Sequence, residues 1–279
     1  LKCARYDGNI KGVDASEFPI IPTIGEGKKF SIDPEVLREM IEQTTVAAAN
    51  DDSRPVLTGV YTRIEKNGVL LAAADGFRLS VRSAPLESGL DSLVAVIVPA
   101  KSMAEVSRIL GDQEEPVEIA VTDNRSQILF HLENTDLVSQ LIDGNFPDYN
   151  QILPKSHNTR TVMNTGDLQS AVKAAAVFAR EASNIVRLNI SPTNEQGAGR
   201  VVVAATSAET GDDVGEIDAQ VTGEPLEIAF NARYLENVLG VLHAPQVSLE
   251  TTTAASPGVI RPMGRDDFTH VIMPMHIGR

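Results

Sequence analysis

The chain has no tryptophan, and aromatic residues make up only 4% of its 279 positions. That argues against a dense aromatic platform for stacking on bases. Cys3 is the single cysteine, so no disulfide forms within the chain and no thiolate cage can hold a metal. A reducing, cytoplasmic compartment is the expectation. No run approaches the ~18 consecutive apolar residues of a membrane-spanning helix, so no membrane partner is expected. The start, Leu1-Lys2-Cys3-Ala4-Arg5-Tyr6, has neither Met nor the apolar stretch and cleavage site of a secretory signal. It reads as a processed start or as part of a longer chain. None of His131, His157, His243, His270 and His276 belongs to a His-x-x-x-His pair, and no Gly-x-Ser-x-Gly elbow occurs. No catalytic residue, metal or cofactor is expected. Positive charge is also short: 24 Lys and Arg stand against 38 Asp and Glu, a net −14. Taken alone this opposes a nucleic-acid partner, but net charge does not say where the charges sit.

What is present is ordinary globular composition, 42% hydrophobic and 22% charged, at a length that suggests two domains. Three motifs have bland readings. Gly25-Glu26-Gly27-Lys28 looks suited to phosphate, but the first Gly of a P-loop falls at Pro22, and Lys29 stands where Ser or Thr is needed. A flexible linker is the better reading. Asp51-Asp52 and Asp212-Asp213 lie in polar, turn-rich stretches and read as solvated loops rather than cation sites. Asn189-Ile190-Ser191 matches a glycosylation sequon, without meaning in the cytoplasm. A metal-dependent hydrolase centred on Asp75 or a loop carboxylate pair lacks convergent ligands.

The chain repeats itself. Pro34 to Ala48 carries Leu37, Met40, Ile41 and Thr44 on one helical face, and Asp167 to Arg180 does the same with Leu168, Ala171, Val172 and Ala175, shifted by 131. Asp33 and Thr165 are the expected N-caps. Strands Leu57 to Ile64 and Val69 to Ala73, joined at Asn67-Gly68, answer to Val186 to Ile190 and Val201 to Ala205, joined near Gly197-Ala198-Gly199. A strand-into-helix unit, Leu93 to Lys101 leading to Met103, Val106, Ile109 and Leu110, answers to Leu226 to Arg233 leading to Leu235, Val238, Leu239 and Leu242. Each half closes on strands: 117–122, 127–132 and 137–142, then 247–252, 258–261 and 270–273. Each unit of about 130 residues thus reads as helix, strands, helix, strands. The fold class is α+β, each repeat having two helices packed on antiparallel sheets. Residues 1–12 read as one extra strand and 13–27 as a linker.

Motifs along the whole chain carry a family resemblance. They are Asp14-Ala15-Ser16-Glu17-Phe18-Pro19, Arg54-Pro55-Val56-Leu57-Thr58-Gly59, Ala74-Asp75-Gly76-Phe77-Arg78-Leu79, Gly144-Asn145-Phe146-Pro147-Asp148-Tyr149, Phe230-Asn231-Ala232-Arg233-Tyr234-Leu235 and Val271-Ile272-Met273-Pro274-Met275. In this order and at this spacing, the sequence resembles the bacterial DNA sliding clamp family, the beta subunit of DNA polymerase III. The resemblance implies repeated clamp domains: 1–12 as the last strand of a first domain, 13–27 as linker, 28–154 as the second domain and 155–279 as the third. It implies a non-catalytic processivity factor in DNA replication. Such a homodimeric ring encircles duplex DNA without reading sequence. It would tether the DNA polymerase III alpha subunit, the clamp loader and other clamp-binding-motif proteins. The alternative is a truncated clamp that acts only as a peptide-binding module and does not close a ring.

The same resemblance supplies candidate residues. The partner-peptide groove would use Leu57, Gly76, Phe77, Arg78, Leu79, Pro147, Ile152, Asn231, Tyr234, Val271, Ile272, Met273, Pro274 and Met275. Packing alone would equally account for Leu57, Leu79, Val271 and Ile272. Ala74, Phe77, Gln151 and Pro257 depart from the family's usual residues and make the groove less polar. Val177 and Phe178 would form the subunit contact. For the DNA-facing surface the candidates are Arg54, Lys101, Arg108, Lys173 and Arg233, with solvated surface charge as the competing reading. The four helical segments sum to zero charge, so the −14 resides elsewhere.

Overall fold

A computed structural model describes residues 1–18, 29–89, 92–180, 183–192 and 199–276. Gly25 to Lys28, linker residues 19–27 and Gly197-Ala198 lie outside the described residues. The chain begins with β1 (Lys2–Cys3) and β2 (Tyr6–Asp7), which pair with each other. Residues 1–12 are therefore a small hairpin rather than one strand, turning through Ala4 at φ +52°. Among the described residues no other strand lies alongside, and the segment's backbone groups find partners in itself.

The first half contains β3 (Lys29–Ile32), α1 (Pro34–Thr45), β4 (Gly59–Glu65), β5 (Gly68–Ala74), β6 (Arg78–Pro85), β7 (Val94–Pro99), α2 (Ala100–Leu110), β8 (Val117–Val121), β9 (Gln127–Leu132) and β10 (Thr135–Gln140). The second contains β11 (Thr159–Asn164), α3 (Thr165–Ala179), β12 (Ile185–Ser191), β13 (Gly199–Ser207), β14 (Gly211–Gly223), β15 (Leu226–Asn231), α4 (Ala232–Gly240), β16 (Gln246–Thr251), β17 (Gly258–Pro262) and β18 (Phe268–Ile272). The order repeats element for element. All strand pairings are antiparallel.

Side-chain chemistry sets the helix ends. Asp33 caps α1 by accepting from the Glu35 and Val36 amides, with Pro34 in the first turn. The Thr44 and Thr45 hydroxyls bond back to the Met40 and Ile41 carbonyls at 2.7 and 2.8 Å, and the helix stops at Thr45, short of the expected Ala48. Asn164, not Thr165, caps α3, accepting from the Gly166 and Asp167 amides, while Thr165 is buried in the first turn. An amide side chain reaches those donors from the extended position just before the helix, where Thr165 no longer sits. α2 ends at Gly111, whose φ of +49° only glycine takes easily, and Arg38 of α1 donates to its carbonyl.

A 12-stranded sheet, β15-β12-β13-β14-β11-β16-β17-β18-β6-β5-β4-β7, spans both halves through the β18–β6 pair, and β10-β9-β8-β3 form a second sheet. α1 packs beside α2 and α3 beside α4. Gln43 of α1 donates to the Val241 carbonyl at the end of α4 at 3.3 Å. The helices therefore run in a row, α2–α1–α4–α3. Each half has its own apolar core beneath its helices. A third apolar cluster joins the halves: Ala72, Ala74, Leu79, Val259 and Val271 lie under Tyr149 and Leu153 of the connecting segment.

Candidate functional site

The expected groove residues meet where β6 pairs with β18. Val271 stands opposite Leu79 and Ile272 opposite Arg78, so the pleat sends the first pair to one face and the second to the other. Leu79 and Val271, each 1% exposed, join the cluster under Tyr149, whereas Ile272 packs into the second half's own core. Leu57 is buried too. All four are buried, and of them Leu79 and Val271 pack at the joint. The accessible apolar surface consists of Phe77, 58% exposed, with Met273 and Ile152 at 39% each. Gly76 and Pro147 are exposed, and Asn231, Tyr234, Pro274 and Met275 are half-buried.

The turn that presents Phe77 is closely specified. The Asp75 carboxylate accepts from the Phe77 and Arg78 amides at 2.8 and 3.0 Å, an Asx turn. Gly76 has φ +94°, and a Cβ there would come within 2.9 Å of an Arg54 guanidinium nitrogen. Arg54 donates to the Asp75 carbonyl at 2.8 Å. It is therefore part of this turn and stands outside the four helices. The Met273 amide donates to the Phe77 carbonyl and the Met275 amide to the Ala229 carbonyl, both at 2.8 Å. Residues 273–275 are thus strung from the first half to the second.

Arg78 ties the turn to α4. Its guanidinium pairs with Asp75 at 3.0 Å, donates to Asn237 Oδ1 at 2.8 Å and lies 4.2 Å from the centre of the Tyr234 ring. Burial, more than any charge, pushes the Tyr234 phenol up from its ordinary range. Asn231 spends its side-chain oxygen on the Arg233 amide as the α4 cap. Asp75 and Asn237 were not singled out for this site; Asp75 at the head of an Asp-Gly turn was the available signal. Among the departing residues, Ala74 is buried in the joint, Pro257 is half-buried and Gln151 is exposed, donating to Asp148 at 3.1 Å. Nearby, Tyr61 stacks on Phe146 with centroids 5.3 Å apart, beside a hollow lined by Ile97, Gln140, Ile142 and Asp143.

Lys101 and Arg108 lie on the solvent stripe of α2, Lys173 on that of α3 and Arg233 on that of α4; all four are exposed. Arg108 is held by Glu105 at 2.6 and 2.9 Å, which offsets its charge locally. Within the observed bounds the four helices carry −1 rather than zero, because Arg180 falls just outside α3 as its C-cap.

At the far end, Val177 is 60% exposed and Phe178 packs against the second core near Gly211. β14 pairs with β13 along 211–219 but with β11 only along 219–223, leaving the outer edge of 211–218 without a strand among the described residues. Val214 on this stretch is 66% exposed. Asp212-Asp213 belong to this strand and not to a loop: they ladder to Thr206 and Ala205, with Asp212 exposed and Asp213 half-buried on the opposite face. Among the described residues, no three His, Cys, Asp or Glu side chains gather as a metal site, and no helix is long and apolar enough to cross a membrane.

Two family models match the chain: the DNA polymerase III beta subunit central domain over residues 31–148 and its C-terminal domain over residues 150–276. The Beta sliding clamp of Bacillus subtilis (strain 168) is 33% identical over 277 residues, covering 99% of this chain and 71% of the relative. That of Staphylococcus aureus (strain Mu50 / ATCC 700699) is 31% identical over 269 residues, 96% of this chain and 69% of the relative. The crystal structure of the Bacillus subtilis DNA polymerase sliding clamp superposes with a TM-score of 0.89 at 33% identity, over 95% of this chain and 69% of that one. The Thermotoga maritima beta subunit gives 0.84 at 27% identity, over 95% and 70%.

Proposed function

We propose, from the premise that the chain belongs to the DNA polymerase III beta-subunit (beta sliding clamp) family, that it forms part of a closed ring around duplex DNA and tethers partner proteins through the surface around Phe77 and Met273. Family membership makes it a non-catalytic processivity factor of DNA replication. The observation that carries the finer reading is the row α2–α1–α4–α3 against one continuous sheet. It offers DNA one face with nearly cancelling charge, while most of the −14 lies elsewhere. A ring that slides needs such a face, because a row of unopposed cations would grip phosphates and release counterions at each contact. On that face the proposed contacts are Lys101, Arg108, Lys173 and Arg233.

Ring closure is supported by the repeat itself. β14 is the counterpart of β6, and β6 accepts β18 from the other half. The matching edge of β14 would accept a strand from another subunit, with Val177 and Phe178 beside it, in a head-to-tail homodimer. The 1–12 segment, with Lys2, Arg5 and Lys11 against Asp7, has the charge to suit the acidic edge of Asp212, Asp213, Glu216 and Asp218. In this reading 1–12 closes a preceding clamp domain, 13–27 links it, and 28–154 and 155–279 are the second and third domains.

The tethering surface suits a short peptide with apolar anchors. Phe77 and Met273 offer exposed apolar area, Met adapts to varied partners, and Arg54 beside Gly76 supplies a polar end. Partners would be the polymerase alpha subunit, the clamp loader and other carriers of clamp-binding motifs. Titrating a labelled clamp-binding peptide against wild type and Met273→Ala tests the groove; equal binding would remove it. Loading on circular duplex DNA tests the ring: Lys101→Glu with Arg108→Glu should shorten retention at low salt. A chain that binds peptide but is never retained supports the narrower peptide-binding module.

A further inference from the structure

Five buried side-chain polar atoms among the described residues have no hydrogen-bond partner, and three of them belong to α1, β6 and β18, the elements packed along one seam: Gln43 Oε1, Arg82 Nε and His270 Nε2. Native interiors rarely leave such atoms unsatisfied. All three side chains are at most 3% exposed. Arg78, Ser80 and Arg82 alternate along the helix-side face of β6, and His270 of β18 stands opposite Ser80. α1 covers this face.

Each orphan is forced. Gln43 Nε2 donates to Glu39 Oε1 and the Val241 carbonyl, at 3.1 and 3.3 Å. Flipping the amide would set its oxygen against two acceptors. Arg82 spends its terminal nitrogens on Glu39 and the Ser83 carbonyl, leaving Nε. His270 Nδ1 lies 2.6 Å from Ser80 Oγ. Burial, with Arg78 adding to it, holds the imidazole down to about 3, so the ring is neutral and Nε2 needs a partner in either tautomer.

The surrounding charges decide what fits. Arg78, Arg82 and Arg265 are balanced by Asp75, Glu39 and Asp267, through pairs at 2.7–3.0 Å for Arg78–Asp75, Arg82–Glu39, Arg265–Glu39 and Arg265–Asp267. A neutral occupant with both donors and acceptors is required. We propose that the seam is a built water site, in which ordered water bound by Gln43, Arg82 and His270 forms a hydrated hinge between the two halves. Buried waters make about three such bonds. Water bridges and charge-assisted bonds re-form after a small rotation, whereas interdigitated apolar side chains resist one.

The test uses the intact chain. A crystal structure that resolves water should place it within hydrogen-bond distance of His270 Nε2. Direct protein partners for all three atoms, with no water, would overturn the proposal. Ser80→Ala should lower Tm by several degrees, because it strands the His270 Nδ1 as well. Ser80→Ala with His270→Leu should restore Tm and remove the water at His270, leaving that at Gln43 and Arg82. Spin labels at Ala104→Cys and Ser170→Cys, on a Cys3→Ser background, should then show a narrower inter-half distance distribution than in the wild-type seam. An unchanged distribution would remove the hinge.

Discussion

β6 and β14 occupy the same place in the two halves but meet different neighbours. β6 is sealed on both sides, by β5 and by β18, and its inward positions are Arg78, Ser80 and Arg82. Along 211–218, β14 is sealed on one side only, and its outward positions are acidic with one large apolar residue, Val214. The difference shows how one repeated unit can make both a permanent joint and an open end. The joint buries its charges in ion pairs and its apolar groups under a connector. The open edge keeps charges in water, the usual defence of an unpaired strand against unwanted pairing.

The sharpest way to break that comparison is on the sealed side. Leu79→Ala removes a side chain that is 1% exposed from the cluster joining the halves. It should cost about 2–5 kcal/mol in urea unfolding, the range for a large-to-small change in a core. A cost no greater than that of a surface substitution would mean that the halves do not depend on this cluster.

Next in size is a pH effect. His270 is depressed to about 3 when folded, against an unfolded value near 6.5. Between those values the unfolded chain binds the extra proton, so stability rises with pH. It is fully present above about pH 6.5 and falls at up to about 1.4 kcal/mol per unit as pH drops towards 3. Glu39, lowered to about 2 chiefly by its hydrogen bonds to Arg265, adds a second loss as pH falls below the usual Glu range near 4.5. His270→Leu should abolish the slope between pH 6.5 and 4.5 while keeping the steeper loss below. An unchanged slope would assign it to other groups.

A smaller effect separates packing from binding at the joint. Phe77 and Met273 are exposed, so Phe77→Ala should leave unfolding within ~0.5 kcal/mol while weakening a clamp-binding peptide about tenfold, near 1.4 kcal/mol. Fluorescence anisotropy on both proteins would show it.

The same contrast explains what could be read from the sequence. Helices were legible because Leu37, Met40 and Ile41, or Leu235, Val238 and Leu239, mark one buried face at helical spacing. β6 and β14 were not drawn as strands, for opposite reasons. The buried face of β6 is polar, so its apolar alternation runs through Leu79 and Val81 on the other side, and β14 opens with Asp212-Asp213, which resembles a loop. The repeat was legible from its spacing, and packing was already one reading of Leu57, Leu79, Val271 and Ile272, all four of which are buried. Which residues they meet was not legible, because it depends on the register of Val271 opposite Leu79, 192 positions further along the chain. The place of Arg54 in the turn was hidden for the same reason: only the fold brings it to the Asp75 carbonyl.

The smallest folding effect belongs to the open edge. Asp212→Lys with Asp218→Lys changes two exposed side chains on a stretch of β14 that, among the described residues, pairs with β13 alone, so unfolding should move by less than ~0.5 kcal/mol. Association is where the change should register. If β14 accepts the basic 1–12 segment of a second copy, the contact joins opposite charges at the surface and is screened within about a Debye length, ~10 Å at 0.1 M salt. Sedimentation of the wild-type chain should then show concentration-dependent association at low salt that fades at high salt, and the lysine pair should abolish it at both. Association that ignores salt and survives the substitutions would place the subunit contact elsewhere and leave β14 an edge defended by its own charge.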